Sequence, residues 1–383
     1  MKRATPFVRF IVGLLFIFSG LIKANDPLGL SYKMQEFFDL WKMTRFNEHT
    51  LWLSVVLIAF EIIAGAALLL GWRMKLIVWL LLLLTVFFTF LTGYAYLSGQ
   101  FKNCGCFGDC LPITPLTSFI KDIVLTILIL FLFVNRARIR PLFGNRVTTA
   151  VFAGIVVLSF LIQWYTLNYL PVFDCLAYRK GNNIPEQQKM PANAIPDSTV
   201  ITFVYKKAGA QIEFTADKFP ADFNDSIYTF VSRYDKIIRK GSNNEPPIKG
   251  FALSGVTGAD STTVVLSQPY AVVLFAEDFS TPVSKWKDDF ARLYTAAISK
   301  RIPVYAVTNR GDEAVRQFAQ LPFPAIQLFT CDYTAIRTAA RVNPTIYFLK
   351  AGTIVDKQSY RRMDKIRQAL EAIPIQSPAG INP

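Results

Sequence analysis

Three of the chain's five cysteines fall within seven residues, in Asn103-Cys104-Gly105-Cys106-Phe107-Gly108-Asp109-Cys110-Leu111-Pro112, between two long apolar runs. Thiols this close permit one thiolate to attack a disulfide held by the other two, so the loop can form, pass on and reform a disulfide. Gly105 and Gly108 allow the tight turns that bring sulfurs together. A Cys-x-Cys ring is small and strained, which favours a labile, redox-active bond over a static one. A structural disulfide with one spare thiol is the plainer alternative. The only histidine is His49, so a histidine-based triad or a histidine-rich zinc site cannot be built. The reactive inventory is cysteines and carboxylates, and no metal site is assigned.

The elements that position this loop are membrane spans. With 383 residues, 52% hydrophobic content, mean hydropathy +0.33 and 33 phenylalanines, the chain reads as part membrane and part soluble. Spans are expected at about 7–23, 51–70, 76–97, 116–134 and 147–170, each near the ~20 residues that cross a bilayer core. No small-x-small site follows the first span, so it reads as a retained helix rather than a cleaved signal. Residues 1–170 carry 15 Lys/Arg against 7 Asp/Glu, and the remainder 26 against 20. The net charge of +14 therefore reflects orientation signals beside the spans, and nucleic-acid binding is not expected.

Threading five helices puts the amino terminus, Arg73-Met74-Lys75 and the Arg136–Arg146 cluster on one side, which reads as cytoplasmic. The 24–50 loop, the cysteine loop and everything after residue 171 then lie outside. In a Gram-negative inner membrane that side is the periplasm, where disulfides persist. Cys175 leaves the fifth span on the same face, as partner or bystander to the loop cysteines. Four cysteines at one surface allow three connectivities.

Glu61 sits about ten residues, or ~15 Å, into the second span. A carboxylate at that depth is costly and usually placed for a reason. It either accepts a proton beside a bound quinone or pairs with Lys121 or Lys23. Lys121 and Asp122 enter the fourth span just below the cysteine loop, where they support its thiols electrostatically or snorkel to the interface.

Asp26-Pro27-Leu28-Gly29 reads as a turn and Tyr32–Trp41 as a short amphipathic helix at the surface. Residues 176–197 read as a linker. Residues 198–247 hold strands at 199–205 and 211–214 and an amphipathic segment at 227–238, in no nameable fold. From 248 to 376 strands and helices alternate around a continuous apolar strand, Tyr270–Ala276, and end in a hairpin plus helix, an α/β arrangement. Phe251–Leu253, Gly258 and Thr262–Leu266 read as a hairpin within it. Cys331 reads as a buried apolar residue. Residues 377–383 form a tail.

On Cys-Gly-Cys-Phe-Gly, Gly13–Lys23 with Asp26-Pro27, Glu61, and Thr117–Asp122, residues 1–175 resemble the DoxX/MauE group of redox-associated membrane proteins. The resemblance implies a four- or five-helix bundle tied to thiol and disulfide metabolism. On Asn343-Pro344-Thr345 and Lys350-Ala351-Gly352-Thr353, residues 248–376 resemble the thioredoxin-like fold in its peroxiredoxin/TlpA form. That resemblance implies a cis-proline loop at Pro344 shaping a client groove, against the plainer reading of a turn before an edge strand. An active thioredoxin carries Cys-x-x-Cys where this chain has Glu277-Asp278-Phe279-Ser280, so the domain departs from the pattern at its reactive position.

Two readings follow. In the first, an inner-membrane thiol–disulfide protein acts on periplasmic or envelope clients through Cys104, Cys106 and Cys110, with Cys175 as a candidate partner. Glu61, Lys121 and Asp122 support it, Pro344 lines the client groove, and a membrane quinone is the candidate electron acceptor. In the second, a non-enzymatic membrane-anchored scaffold uses its degenerate thioredoxin-like domain to dock envelope partners.

Overall fold

The computed structural model describes residues 4–101, 105, 107–239, 241–255 and 258–374. Cys104, Cys106 and the tail at 377–383 lie outside the described residues. The amino-terminal part is helical: α1 (Ala4–Asn25), α2 (Pro27–Leu40), α3 (Thr50–Leu70), α4 (Met74–Ser98), α5 (Pro115–Val134) and α6 (Asn145–Tyr169). All except the short α2 are long and apolar enough to cross a membrane. Their outward side chains stay apolar, as lipid contact requires.

Small residues set how closely these helices approach. A Cβ on Gly65 would come within 2.8 Å of the Gly13 carbonyl oxygen, and one on Gly13 within 2.6 Å of Leu69. The α1–α3 crossing is thus glycine-dependent, and it aligns Lys23 with Glu61. At one end of the bundle Arg9 donates to the carbonyl oxygens of Leu69 and Arg140, and the Leu142 amide bonds the Leu70 carbonyl. At the other end Asn25 exchanges two hydrogen bonds with the Phe173 backbone, at 2.8 and 2.9 Å. The basic turns therefore gather opposite the cysteine loop, as the threading requires.

Asp26-Pro27-Leu28-Gly29 is the start of α2 rather than a turn. The Asp26 side chain accepts from the Gly29 amide at 3.1 Å and Pro27 occupies the first helical turn, a pairing that suits a helix start.

The soluble part begins with α7 (Ile184–Gln187) and a three-stranded antiparallel sheet, β1 (Ser198–Lys207), β2 (Ala210–Thr215) and β3 (Tyr228–Arg239), in the order β2-β1-β3. Residues 198–247 thus acquire a fold that the sequence left open. The segment expected as a linker is packed at its start. Tyr178 and Ile184 are buried in the core of the following domain, and Asn183 bridges to Thr353.

That domain runs β4 (Ser254–Gly255), α8 (Thr262–Leu266), β5 (Ala271–Ala276), α9 (Lys287–Ser299), β6 (Val304–Thr308), α10 (Gly311–Phe318), β7 (Gln327–Thr330), α11 (Tyr333–Ala339), β8 (Thr345–Lys350), β9 (Thr353–Ser359) and α12 (Met363–Glu371). The expected hairpin at 251–266 is replaced by the short β4 and by α8. There the Asp260 carboxylate accepts from the Thr262 amide at 2.9 Å and turns the chain into a helix. The six strands order as β4-β7-β6-β5-β8-β9. Every residue of β5 is buried, because the strand lies between helical layers on both faces. β5 runs parallel to β6 and antiparallel to β8, which pairs with β9. A strand–helix–strand unit joined to a hairpin and closing helix is the thioredoxin-like arrangement.

Candidate functional site

Cys110 is disulfide-bonded to Cys175 across 65 residues of sequence. The bond ties the loop before α5 to the segment leaving α6, and it takes Cys110 out of the three-thiol set. Cys104 and Cys106 remain as the candidate exchanging pair. Both lie outside the described residues, whereas Gly105 and Phe107 are described. Gly105, at φ +69, packs against the Lys33 side chain of α2, and the Phe107 ring lies 5.2 Å from the Lys121 ammonium.

Beneath this loop a cavity of about 640 Å³ opens among α1 to α5, lined mostly by apolar and aromatic side chains. Five charged side chains reach it: Lys23, Lys33, Glu61, Lys121 and Asp122. Lys23 and Glu61 pair at 2.6 Å with 4% and 1% exposure, and Ser19 donates to the second Glu61 oxygen at 3.0 Å. Of the two partners open to Glu61 in the sequence, the structure therefore uses Lys23. Lys121 pairs with Asp122 at 2.5 Å, and Thr92 donates to Asp122 at 3.1 Å. The three supporting residues expected from the sequence, Glu61, Lys121 and Asp122, thus line one cavity, together with Gly105 and Phe107 of the cysteine loop. Each of the two buried carboxylates holds a hydroxyl hydrogen bond besides its ammonium partner, which makes a charge away from water tolerable.

The thioredoxin-like domain sits over the same loop, through residues the sequence reading missed. Arg341, 5% exposed, donates to Asp26 at 2.9 Å and to Asp109 at 2.6 Å. Arg337 pairs with Glu277 at 3.2 Å and stacks 3.7 Å from the Tyr32 ring of α2, and Tyr32 donates to Glu277 at 3.4 Å. Lys357, 3% exposed, bonds Asp174 at 2.5 Å and the Tyr178 carbonyl at 3.1 Å. Asp109 and Asp174 each precede a disulfide cysteine, so the two halves of the Cys110–Cys175 bridge are each held by a buried cation of the soluble domain. The doubled Asp-Cys dipeptide was the available sequence signal.

Burial shifts these groups as it does any charge removed from water. It raises the Asp26 carboxyl against the opposing pull of Arg341, and lowers Lys357 despite Asp174. Burial also lowers Arg341, but Asp26 and Asp109 outweigh it, so its net shift is upward.

The position where a thioredoxin holds its dithiol is closed by hydrogen bonds. Asn343 Nδ2 donates to the Asp278 carbonyl at 3.0 Å and to its carboxylate at 2.5 Å, while Asn343 Oδ1 accepts from the Glu277 amide at 3.1 Å. The Asn343–Pro344 peptide is cis, and Pro344 is buried at the same end of β5. This end of β5 thus faces α2 through Glu277 and Tyr32, with Glu277-Asp278-Phe279-Ser280 in place of a dithiol.

Cys331 is the free cysteine among the described residues, and it is buried. Burial pushes its thiol up to about 11 from 9.0. The folded state holds this proton more tightly than the unfolded one. Its contribution to stability is therefore complete below pH 9 and lost between about pH 9 and 11. Folded protein is expected to resist iodoacetamide at Cys331 at pH 8 and to label there only on unfolding, as mass spectrometry of the alkylated peptide will show.

Residues 1–135 match the family described as methylamine utilisation protein MauE, and residues 199–240 match a domain family of unknown function. Protein TlpB of Flavobacterium psychrophilum is 33% identical over 129 residues, covering 33% of this chain and 35% of that protein. The chain thus spans about a third of the length of that curated relative. Among solved structures, copper-bound yeast Sco1 matches with 14% identity and TM-score 0.27, over 33% of this chain and 94% of that one. A second yeast Sco1 structure matches with 16% identity and the same TM-score. The chain joins a MauE-type membrane domain to a thioredoxin-like soluble domain.

Proposed function

We propose that this protein catalyses thiol–disulfide exchange at the outer face of a bacterial cytoplasmic membrane, with Cys104 and Cys106 as the exchanging pair. The observation that carries the reading is the shared cavity. Gly105 and Phe107 of the cysteine loop line the same apolar space as Glu61, Lys23, Lys121 and Asp122. An apolar chamber with a few convergent polar groups suits an amphipathic ring compound, and a membrane quinone is the acceptor of that chemistry.

In the proposed cycle a client thiolate attacks the Cys104–Cys106 disulfide to give a mixed disulfide. The client's second thiolate then resolves it, leaving an oxidised client and two thiols in the loop. Two electrons and two protons pass from those thiols to the quinone, giving quinol and restoring the loop disulfide. Glu61 and Asp122 are placed to hold or relay the protons. The thioredoxin-like domain, lacking its own dithiol, supplies the platform that positions envelope clients over the loop.

The test is quinol formation by the whole protein in nanodiscs, given a dithiol peptide and a short-chain quinone. The expected result is turnover above the protein-free background that falls at least about tenfold in Cys104→Ser and in Cys106→Ser. Quinol formation that survives both substitutions overturns the reading. Absence of any exchange would favour the scaffold, in which the soluble domain only docks partners.

A further inference from the structure

The three-stranded sheet plays no part in the site above, and its third strand is unusual. Apart from Tyr228, every residue of β3 is exposed. Phe230, Val231, Tyr234, Ile237 and Ile238 are each between 43% and 66% exposed. One edge of β3 pairs with β1, and among the described residues no strand pairs with the other. A long apolar edge strand left open is an invitation to pairing that stable proteins either block or use.

We infer that β3 is a self-association surface that pairs antiparallel with β3 of a second copy about a two-fold axis through Tyr234. The sequence of the strand selects both the occupant and the register. In an antiparallel ladder, directly opposed residues must both point toward or both away from the partner, so a two-fold pairing places a residue, not a peptide bond, on the axis. With Tyr234 there, Arg233 faces Asp235 and Ser232 faces Lys236, and the same pairs repeat by symmetry. Shifting the axis to Arg233 or to Asp235 opposes like charges on the axis itself, which is destabilising.

Arg233 and Asp235 already lie within 3.5 Å of each other on one face of the strand. Self-pairing therefore exchanges the two intrachain pairs, one in each copy, for two interchain ones. The register irregularities against β1 lie outside 232–237, opposite Val204/Tyr205 and Ser198/Thr199, and leave this central stretch regular. An isologous contact of this kind closes as a dimer.

The test uses the full chain in detergent, with oligomeric state read by light scattering across a concentration series and by native mass spectrometry. The wild type is expected to be dimeric. Tyr234→Cys is expected to cross-link to itself, because residues opposed on the axis lie ~4.5–5.5 Å apart. Thr229→Cys, far from its own symmetry mate, is expected not to. Asp235→Arg is expected to weaken the dimer more than about tenfold, and Arg233→Asp combined with Asp235→Arg to restore it. A monomer at every concentration, a dimer indifferent to Asp235→Arg, or a chain that pairs β3 only with foreign peptides overturns the inference.

Discussion

Replacing Arg341 by Ala is expected to release the thioredoxin-like domain from the membrane domain, at a cost of about 3–5 kcal/mol. Arg341 bridges Asp26 at the start of α2 and Asp109 in the cysteine loop. Removing the cation leaves the 12%-exposed Asp26 without its partner, and an unpaired buried charge costs more than the intact pair gains. Hydrogen exchange is the appropriate readout. Residues 27–40 and 107–111 should lose protection while the β5–β8 core keeps its own. Combining Asp26→Asn with Arg341→Ala should cost less than the sum of the two single changes, since they share one interaction. Unchanged protection in Arg341→Ala would show that the domain is held elsewhere.

The second large effect belongs to the disulfide. Changing both Cys110 and Cys175 to Ser is expected to lower resistance to unfolding by about 4 kcal/mol, from the entropy of a closed loop this long. The bond joins residues 65 apart, and it fixes the two aspartates that Arg341 and Lys357 hold. The single change Cys110→Ser should be worse for function than the double one. It frees Cys175 at the same face as Cys104 and Cys106, where it can trap them in non-native pairs. Denaturation of the purified protein measures the first effect, and non-reducing peptide mapping the second. A double variant as stable as the parent would make the bond dispensable.

Much of this was legible in the residues because the signals were local. Span lengths, the basic turns between them and the buried run at 270–276 each report on a single element, and all three survive in the fold. Glu61 demanded a counter-charge, but whether Lys23 or Lys121 supplied it depended on how closely α1 and α3 approach at Gly13 and Gly65. Asp26-Pro27 suits both a turn and a helix start, and only the chain that follows decides. Thr262-Thr263-Val264-Val265 favours a strand by its β-branched side chains, yet forms α8 because Asp260 turns the chain and Val265 and Leu266 find a core.

The docking contacts were out of reach for a different reason. Arg341 lies 315 residues from Asp26 and 232 from Asp109, and no periodicity or motif connects them. Only the repeated Asp-Cys at 109–110 and 174–175 hinted that the cysteines come with acidic neighbours that need cations.

The most direct test of the account is the thiol state of Cys104, Cys106, Cys110 and Cys175 in intact cells, trapped with acid, alkylated and mapped by mass spectrometry before and after a brief reductant pulse. The account predicts Cys110 and Cys175 joined to each other throughout, with Cys104 and Cys106 partly reduced and returning to their initial state soon after the pulse. Cys104 and Cys106 found uniformly oxidised and unresponsive, or Cys110 exchanging in their place, would contradict it.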